Sequence, residues 1–494
     1  MKFNLKTLLY FPLIFFFLPA FTLNLTFLGG AYSVYPIFFL ILYIALSVVF
    51  ILKPKPFICK IKKVISSTPF KFYLIYVLVS ILDSILLSVL GVASLGNTLR
   101  YILVHYILCI FPVFLYFIFI IDKYISYDNF IKIFTKLFYI LMILGLIAYI
   151  GMFFNIEIIQ SIFDFLANVR FIKFANIGYN GIASGYEAYG FPRLDCVFEE
   201  PSFYARFMFV FLPLIYSVAT SKIKLYENRF INLFVKKTII PLAWLNLILT
   251  QSPIYLILFF IITLLYFAKA IIVFVKRHIL IFSSIFVFAI LCGILIILNV
   301  NFEDTYLSRI ITTVTSASFE DFVLAEPSLG GRIVCFINLF QIFLKHPFMG
   351  VGLGNLSDLM YHQLSASPVI LTPEIYENMA VALQSKQKFV FNSNLFFADL
   401  AQYGFIIFGI FIFFHTKLKL TLNKIKTYNL SYNDQVYLKG LGWCWITLTI
   451  GYFYQFYMTL FEPLMVNILI ITFIYRFLSR RQNEKNNIYR GLFA

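Results

Sequence analysis

Residues 131–153 read IKIFTKLFYILMILGLIAYIGMF. A helix crossing the hydrocarbon core of a bilayer needs about 20 mainly apolar residues, and this run supplies them. The same signal recurs near residues 8–28, 31–52, 70–91, 98–121 and 201–220, then near 237–250, 252–275, 278–299, 391–416, 437–459 and 461–478. Residues Gln251, Ser252 and Pro253 mark a tight turn between the seventh and eighth runs. With 131–153 these make about twelve transmembrane helices, an even number that leaves both termini on one side. Composition agrees: 62% of the 494 residues are hydrophobic and 12% charged, and mean hydropathy is +0.91. That is too little charge to cover a soluble surface of this size. The expected fold is an all-α polytopic integral membrane protein, with residues 1–494 forming a single transmembrane domain.

The net charge of +17 follows the loops. Of 39 Lys and Arg, 29 fall on the side shared by the termini, whereas 16 of the 22 acidic residues fall on the other. The positive-inside rule therefore assigns both termini to the cytoplasm. The basic residues recur between hydrophobic runs and do not gather on one domain, so no nucleic-acid partner is expected. Membrane lipids, with anionic headgroups at the cytoplasmic face, are the expected neighbours. The first run begins with Lys2 and Lys6 but meets no small-residue cleavage site, so it reads as a retained helix. The six cysteines show no metal-ligand spacing, and neither a metal nor a cofactor is expected.

Most external loops are very short. Residues 154–200 and 300–390 are the exceptions, the second lying between the ninth and tenth helices. Both carry apolar content of their own, and long loops of that kind tend to carry function. Together they are expected to cap an active site. The first ends in FPRLDCVFEEPSFYARF, residues 191–207. Arg206 stands two turns into an apolar helix, where a guanidinium is costly unless it faces protein or a polar cavity. Glu199 and Glu200 precede Pro201, a pattern that suits a helix start as well as it suits an acid–base pair. Asp195 reads as a solvated loop residue.

The second loop contains GGRIVCFINLFQIFLKHPFMGVGLGN, residues 330–355. Asn338, Gln341 and Lys345 recur at helical spacing among apolar neighbours, so an amphipathic helix along the membrane interface is expected. Arg332 opens it, and Pro347 ends it before a glycine-rich turn whose backbone could approach a ligand closely. No strand precedes the glycines, which excludes a dinucleotide-binding fold. The loop returns through FNSNLFFADLAQYG, residues 391–404, where Asn392, Asn394 and Asp399 stand in the first part of an apolar helix. Polar groups there must pair with another helix or line a cavity.

These stretches resemble the O-antigen polymerase and ligase superfamily. The resemblance rests on Arg193 with EEPS (199–202), Arg332 with its amphipathic helix, HPFMGVGLGN (346–355) and FNSNLFFADLAQYG (391–404). Arg170 and Gly181 also match the spacing of an Arg-to-Gly loop feature in some polymerases. The resemblance implies a metal-independent glycosyltransferase of the bacterial inner membrane. Its donor would be an oligosaccharide on undecaprenyl pyrophosphate, and its acceptor a sugar hydroxyl of another lipid-linked repeat unit. It further implies that Arg193, Arg206, Arg332, Arg170, Asn355 and Asn392 bind pyrophosphate and glycan. Glu200 would act as base, with Glu199, His346 and His362 as substitutes, and a chain-length regulator protein as a partner. Two positions depart from the family pattern. Ligases typically place a His before the Asn of the later span, and this chain has Phe391, which favours polymerase over ligase. A Ser-Arg pair common before the eighth span is here Gln251-Ser252-Pro253. The alternatives are an O-antigen ligase and a lipid-linked oligosaccharide flippase; the long outer loop and the scarcity of mid-span charge, chiefly Asp83, weigh against the flippase.

Overall fold

The computed structural model describes residues 68–103, 126–168, 191–194, 201–277, 327–366, 395–454 and 466–478, with a few short segments and single positions elsewhere. These residues are overwhelmingly helical. Two antiparallel two-residue ladders, Leu23–Asn24 with Ser33–Val34 and Glu187–Ala188 with Phe191–Pro192, are the strands among them. The first ladder falls inside the runs expected over 8–28 and 31–52 and interrupts both.

Seven of the expected spans correspond to described helices: α1 (Thr68–Val89), α3 (Tyr127–Phe153), α5 (Pro201–Ala219), α6 (Arg229–Leu249), α7 (Pro253–Arg277), α10 (Leu395–Ile425) and α11 (Tyr432–Tyr454). The last expected span is seen as α12 (Val466–Leu478). The runs near 8–28, 31–52, 98–121 and 278–299 lie wholly or largely outside the described residues. Four described helices are long and apolar enough to cross a membrane by length and composition: α3, α6, Tyr255–Val273 within α7, and Phe396–Ile425 within α10. Shorter helices join them: α2 (Leu95–Tyr101), α4 (Glu157–Asn168), α8 (Pro327–Lys345) and α9 (Leu356–Ser365). The loop expected over 154–200 is thus partly helical. Ile159 of α4 packs where a side chain on Gly151 of α3 would stand, which folds α4 back on the end of α3.

The core is organised around α5, in which every residue from Tyr204 to Val218 is buried. Its neighbours run in fixed directions. Phe138 stacks on Phe207 and Phe134 meets Phe211, so α3 is antiparallel to α5. Phe209 meets Tyr255, and Tyr216 meets Thr263 and Tyr266, so α7 runs parallel. The contact with α11 is the most extensive. There Thr447 donates to the Val210 carbonyl, and Gly440 lies against Leu214 and Ser217. A side chain at 440 would overlap the α5 backbone, so glycine sets the separation of these helices, as small residues do where membrane helices cross closely. At the opposite pole from Arg206, Arg476 of α12 bridges Asp128 of α3 at 3.2 Å and Asp434 of α11 at 3.3 Å, over the ring of Tyr127. One guanidinium therefore ties three helix ends together.

Candidate functional site

The α10 helix is broken at Gly404, whose φ of 63° and ψ of −178° lie outside the range of ordinary L residues. In an intact helix the amides of 405 and 406 would donate to the carbonyls of 401 and 402. Here both pairs are redirected to the glycine-rich turn. Phe405 donates to Pro347 O at 2.8 Å and Ile406 to Phe348 O at 3.2 Å. In return Val351 donates to Ala401 O at 3.1 Å and Gly352 to Gln402 O at 3.0 Å. Exposed backbone polar groups are not tolerated at membrane depth unless protein satisfies them, and the turn does so. The close approach explains the glycines. A methyl on Gly350 would overlap the Gln402 carbonyl, and one on Gly404 would overlap the carbonyl of Phe348. Gly350, Gly352 and Gly354 all have positive φ as well.

Asn355 ends this turn and is buried. Its Oδ1 accepts from the Ser94 amide at 2.8 Å and from Asn97 Nδ2 at 3.4 Å, and its Nδ2 donates to Leu353 O at 3.0 Å and Thr98 Oγ1 at 3.3 Å. Asn97 also donates to Asp358 Oδ2 at 2.6 Å, and Leu353 N donates to Ser84 Oγ at 2.9 Å. Both ends of the Asn355 amide are therefore taken up in docking the turn onto α1 and α2. Asp83 lies one turn from Leu87, which packs near Gly352; its Oδ2 is buried with no hydrogen-bond partner among the described residues.

The segment before the turn, α8, packs along the N-terminal part of α10 in the same direction: Phe336 meets Phe397 and Phe343 meets Phe405. The helix expected along the interface is thus tied to α10 by its aromatic face. Its polar stripe divides. Gln341 and Lys345 are exposed and meet Gln363 of α9 at 2.7 and 2.9 Å. Asn338 is buried, its amide donating to Val334 O. Arg332 is half-buried near the helix start. His346 is half-buried where α8 gives way to the turn. Burial, and then the neighbouring Lys345 ammonium, lower its pKa from the usual histidine value. His362 is exposed on α9.

A second group of expected residues sits where the start of α5 meets the α6–α7 turn. Arg193 Nε donates to Thr250 O at 3.2 Å and its Nη2 to Gln251 O at 3.5 Å, while Leu194 N donates to Leu249 O at 2.8 Å. These are carbonyls that a helix C-terminus leaves unsatisfied, and a guanidinium there suits the helix dipole. Gln251 adopts φ of 48° in this turn. The α6–α7 turn thus receives a guanidinium from the 191–194 segment. Arg206 is buried on α5, 3% exposed, a position that requires charge or hydrogen-bond compensation. Beside it on the same helix, Tyr204 donates to Asn246 Oδ1 at 2.9 Å, and Gly145 of α3 makes room for both side chains.

The structure thus brings Arg332, His346 and Asn355 into one unit with α8, α9 and α10, and places Arg193 and Arg206 in a second unit at the end of α5. Glu199, Glu200, Arg170, Asn392, Asn394 and Asp195 lie outside the described residues. Sequence reading passed over the Tyr204–Asn246 pair, Arg476 and His415, a buried residue stacked on Trp445 and bonded to Thr449 at 3.1 Å. The signal for each was a polar residue within an apolar run. Among the described residues no group of His, Cys, Asp and Glu could hold a metal ion.

Comparison with known proteins gives one family. Residues 239–414 match the model of a family described as O-antigen ligase, and a comparison with curated proteins finds no match. The matched segment runs from the middle of α6 through α7, α8, the glycine turn and α9 to α10, so it contains Arg332, His346, Asn355 and the break at Gly404. Arg193, Glu199, Glu200 and Arg206 precede it. Through residues 239–414, about a third of its length, the chain is similar to the O-antigen ligase family, and the match supports a relation to the O-antigen ligase and polymerase superfamily.

Proposed function

We propose that the protein is an O-antigen polymerase of the bacterial inner membrane. It would transfer a glycan chain from undecaprenyl pyrophosphate to a sugar hydroxyl of another lipid-linked repeat unit at the outer face. The observation that carries this reading is the packing of α8, with Arg332 near its start, and of the glycine turn that follows it on the broken α10 inside the family-matched segment. A lipid-borne headgroup reaches its enzyme sideways from the bilayer. A partly buried helix pair beside a break at membrane depth suits such a wall.

In the proposed reaction the acceptor hydroxyl oxygen attacks the anomeric carbon of the donor glycan. The bond from that carbon to the pyrophosphate oxygen breaks, and undecaprenyl pyrophosphate leaves with the electron pair. The hydroxyl proton passes to a carboxylate, for which Glu200 is the first candidate and Glu199 the second. Arg206 and Arg332 would stabilise the negative charge growing on the leaving group. Arg193 would orient the α6–α7 turn beside it, and Arg170 and Asn392 would contact glycan or pyrophosphate. His346, kept neutral near pH 7 by its lowered pKa, fits the role of an alternative base. A chain-length regulator would be the protein partner.

The family description favours a second reading, an O-antigen ligase that moves finished polymer to a lipid core; Phe391 favours the polymerase. A deletion strain separates them on a lipopolysaccharide gel. Loss of the ladder with a single repeat unit retained supports polymerisation, whereas accumulated lipid-linked polymer supports the ligase. Plasmid copies carrying Arg332→Ala, Arg206→Ala or Glu200→Gln, at normal membrane levels, should fail to restore the ladder. A normal ladder from all three would overturn these residue assignments.

A further inference from the structure

We propose that the turn 347–352 is a splint that sets the bend of α10, and that Gly404 and Gly350 are positioning residues for the reaction proposed above. The main-chain bonds fall on both sides of the break. Ala401 and Gln402 belong to the outer segment of α10, and Phe405 and Ile406 to the inner segment, yet all four bond to the one turn. A single-sided contact would hold one segment and leave the other to pivot. A two-sided one fixes the angle between them.

Each segment has its own load. The outer one carries Asp399, which is buried, and packs through Phe397 on Phe336 of the helix that bears Arg332. The inner one is anchored in the bundle. Phe411 meets Tyr76 of α1, His415 stacks on Trp445 of α11, and Lys419 donates to Gly442 O at 2.9 Å. The turn is in turn nailed to α1 and α2 through Leu353 and Asn355. The bend therefore transmits the position of the fixed bundle to the outer segment and to α8. Misplacing reacting groups by about 1 Å can cost a hundredfold in rate. A device that fixes this angle acts on rate more than on binding.

The test uses full-length protein in nanodiscs with the six native cysteines replaced. Spin labels go at Ala398 and Leu420, on opposite sides of the break. A straight helix would separate those backbone positions by about 33 Å. Gly404→Ala should lengthen or broaden the distance distribution and lower the polymerisation rate about a hundredfold, with the KM for lipid-linked donor within about twofold of wild type, because donor contacts are untouched. Gly409→Ala is the matched control on the same helix, since an added methyl there meets nothing within 4 Å; distance and rate should both stay unchanged. Should Gly404→Ala fail to accumulate, Gly352→Ala replaces it. The nearest atoms its methyl meets are on Leu87 at 3.4 Å, Ala93 at 3.5 Å and Asn355 at 3.6 Å, ordinary contact distances, while its φ of +80° still strains the turn. An unchanged distance, or a changed distance with wild-type rate, overturns the splint. Wild-type protein inactive on lipid-linked repeat units overturns the polymerase reading instead, and the distance measurement still reports on the bend.

Discussion

Replacing Asn355 by alanine separates a structural role from a ligand role at a residue that sequence reading assigned to substrate. The side chain is 3% exposed and makes two short hydrogen bonds, at 2.8 Å from Ser94 N and 3.0 Å to Leu353 O, and two longer ones with Asn97 and Thr98. A net gain of about 0.5–1.5 kcal/mol per bond, plus the cost of leaving the Ser94 amide without its acceptor, gives a loss of roughly 2–4 kcal/mol. The loss is local. It loosens the glycine turn from α1 and α2, so amide exchange should speed up at Leu353 and Ser94 before it does in α5. The assay is denaturant unfolding in mixed micelles alongside site-resolved hydrogen exchange. Asn355→Asp should be no better, because the carboxylate still accepts from Ser94 but cannot donate to Thr98 or Leu353. If Asn355→Ala unfolds and exchanges like wild type yet makes no polymer, the side chain serves a ligand and the reasoning from its hydrogen bonds is wrong.

Removing the guanidinium at Arg476 by Arg476→Met takes from Asp128 and Asp434 the cation they share; breaking a buried pair costs about 3–5 kcal/mol, and with the Asp128 side chain 30% exposed the lower part of that range is expected, visible as a lower melting temperature in detergent. Gly145→Ala should also destabilise, because the methyl overlaps Asn246 Oδ1 and crowds Tyr204 OH; Gly409→Ala, with open space around it, should melt like wild type in the same series. For His346 the sign follows from its lowered pKa. The unfolded chain takes up the proton first as pH falls, so the stabilising preference for the neutral form is present above about pH 6.5 and is lost as pH drops through the folded value. His346→Gln should flatten that part of the stability curve, and any activity limb governed by a neutral His346 should vanish with it.

The membrane class and most of the described helices were legible because about 20 apolar residues in a row have few alternatives. The need for glycine after Pro347 was legible too, whereas α8 begins at Pro327, five residues before the Arg332 expected to open it. What glycine was for was not. A glycine-rich turn reads equally well as a ligand cradle or as a site of backbone contact, and here the backbone belongs to α10, some fifty residues further on. Gly404 within an apolar run was the available clue. Asn355 shows the same limit from the side of hydrogen bonding, since its acceptors and donors at Ser94, Asn97 and Thr98 lie more than 250 residues away. Arg193 shows it again, since its partners at the end of α6 are two main-chain carbonyls that carry no side-chain signature.

The enclosure of α5 also bears on how the chain assembles. Its most extensive packing is with α11, which begins at Tyr432, whereas α5 ends at Ala219. At about 5–20 residues per second, synthesis reaches α11 roughly 10–40 s after α5 has left the ribosome. During that interval a helix carrying Arg206 is without the neighbour that closes around it. Nascent chains that stop before residue 432 should therefore be recognised by membrane quality control as unfinished, however many complete spans they contain.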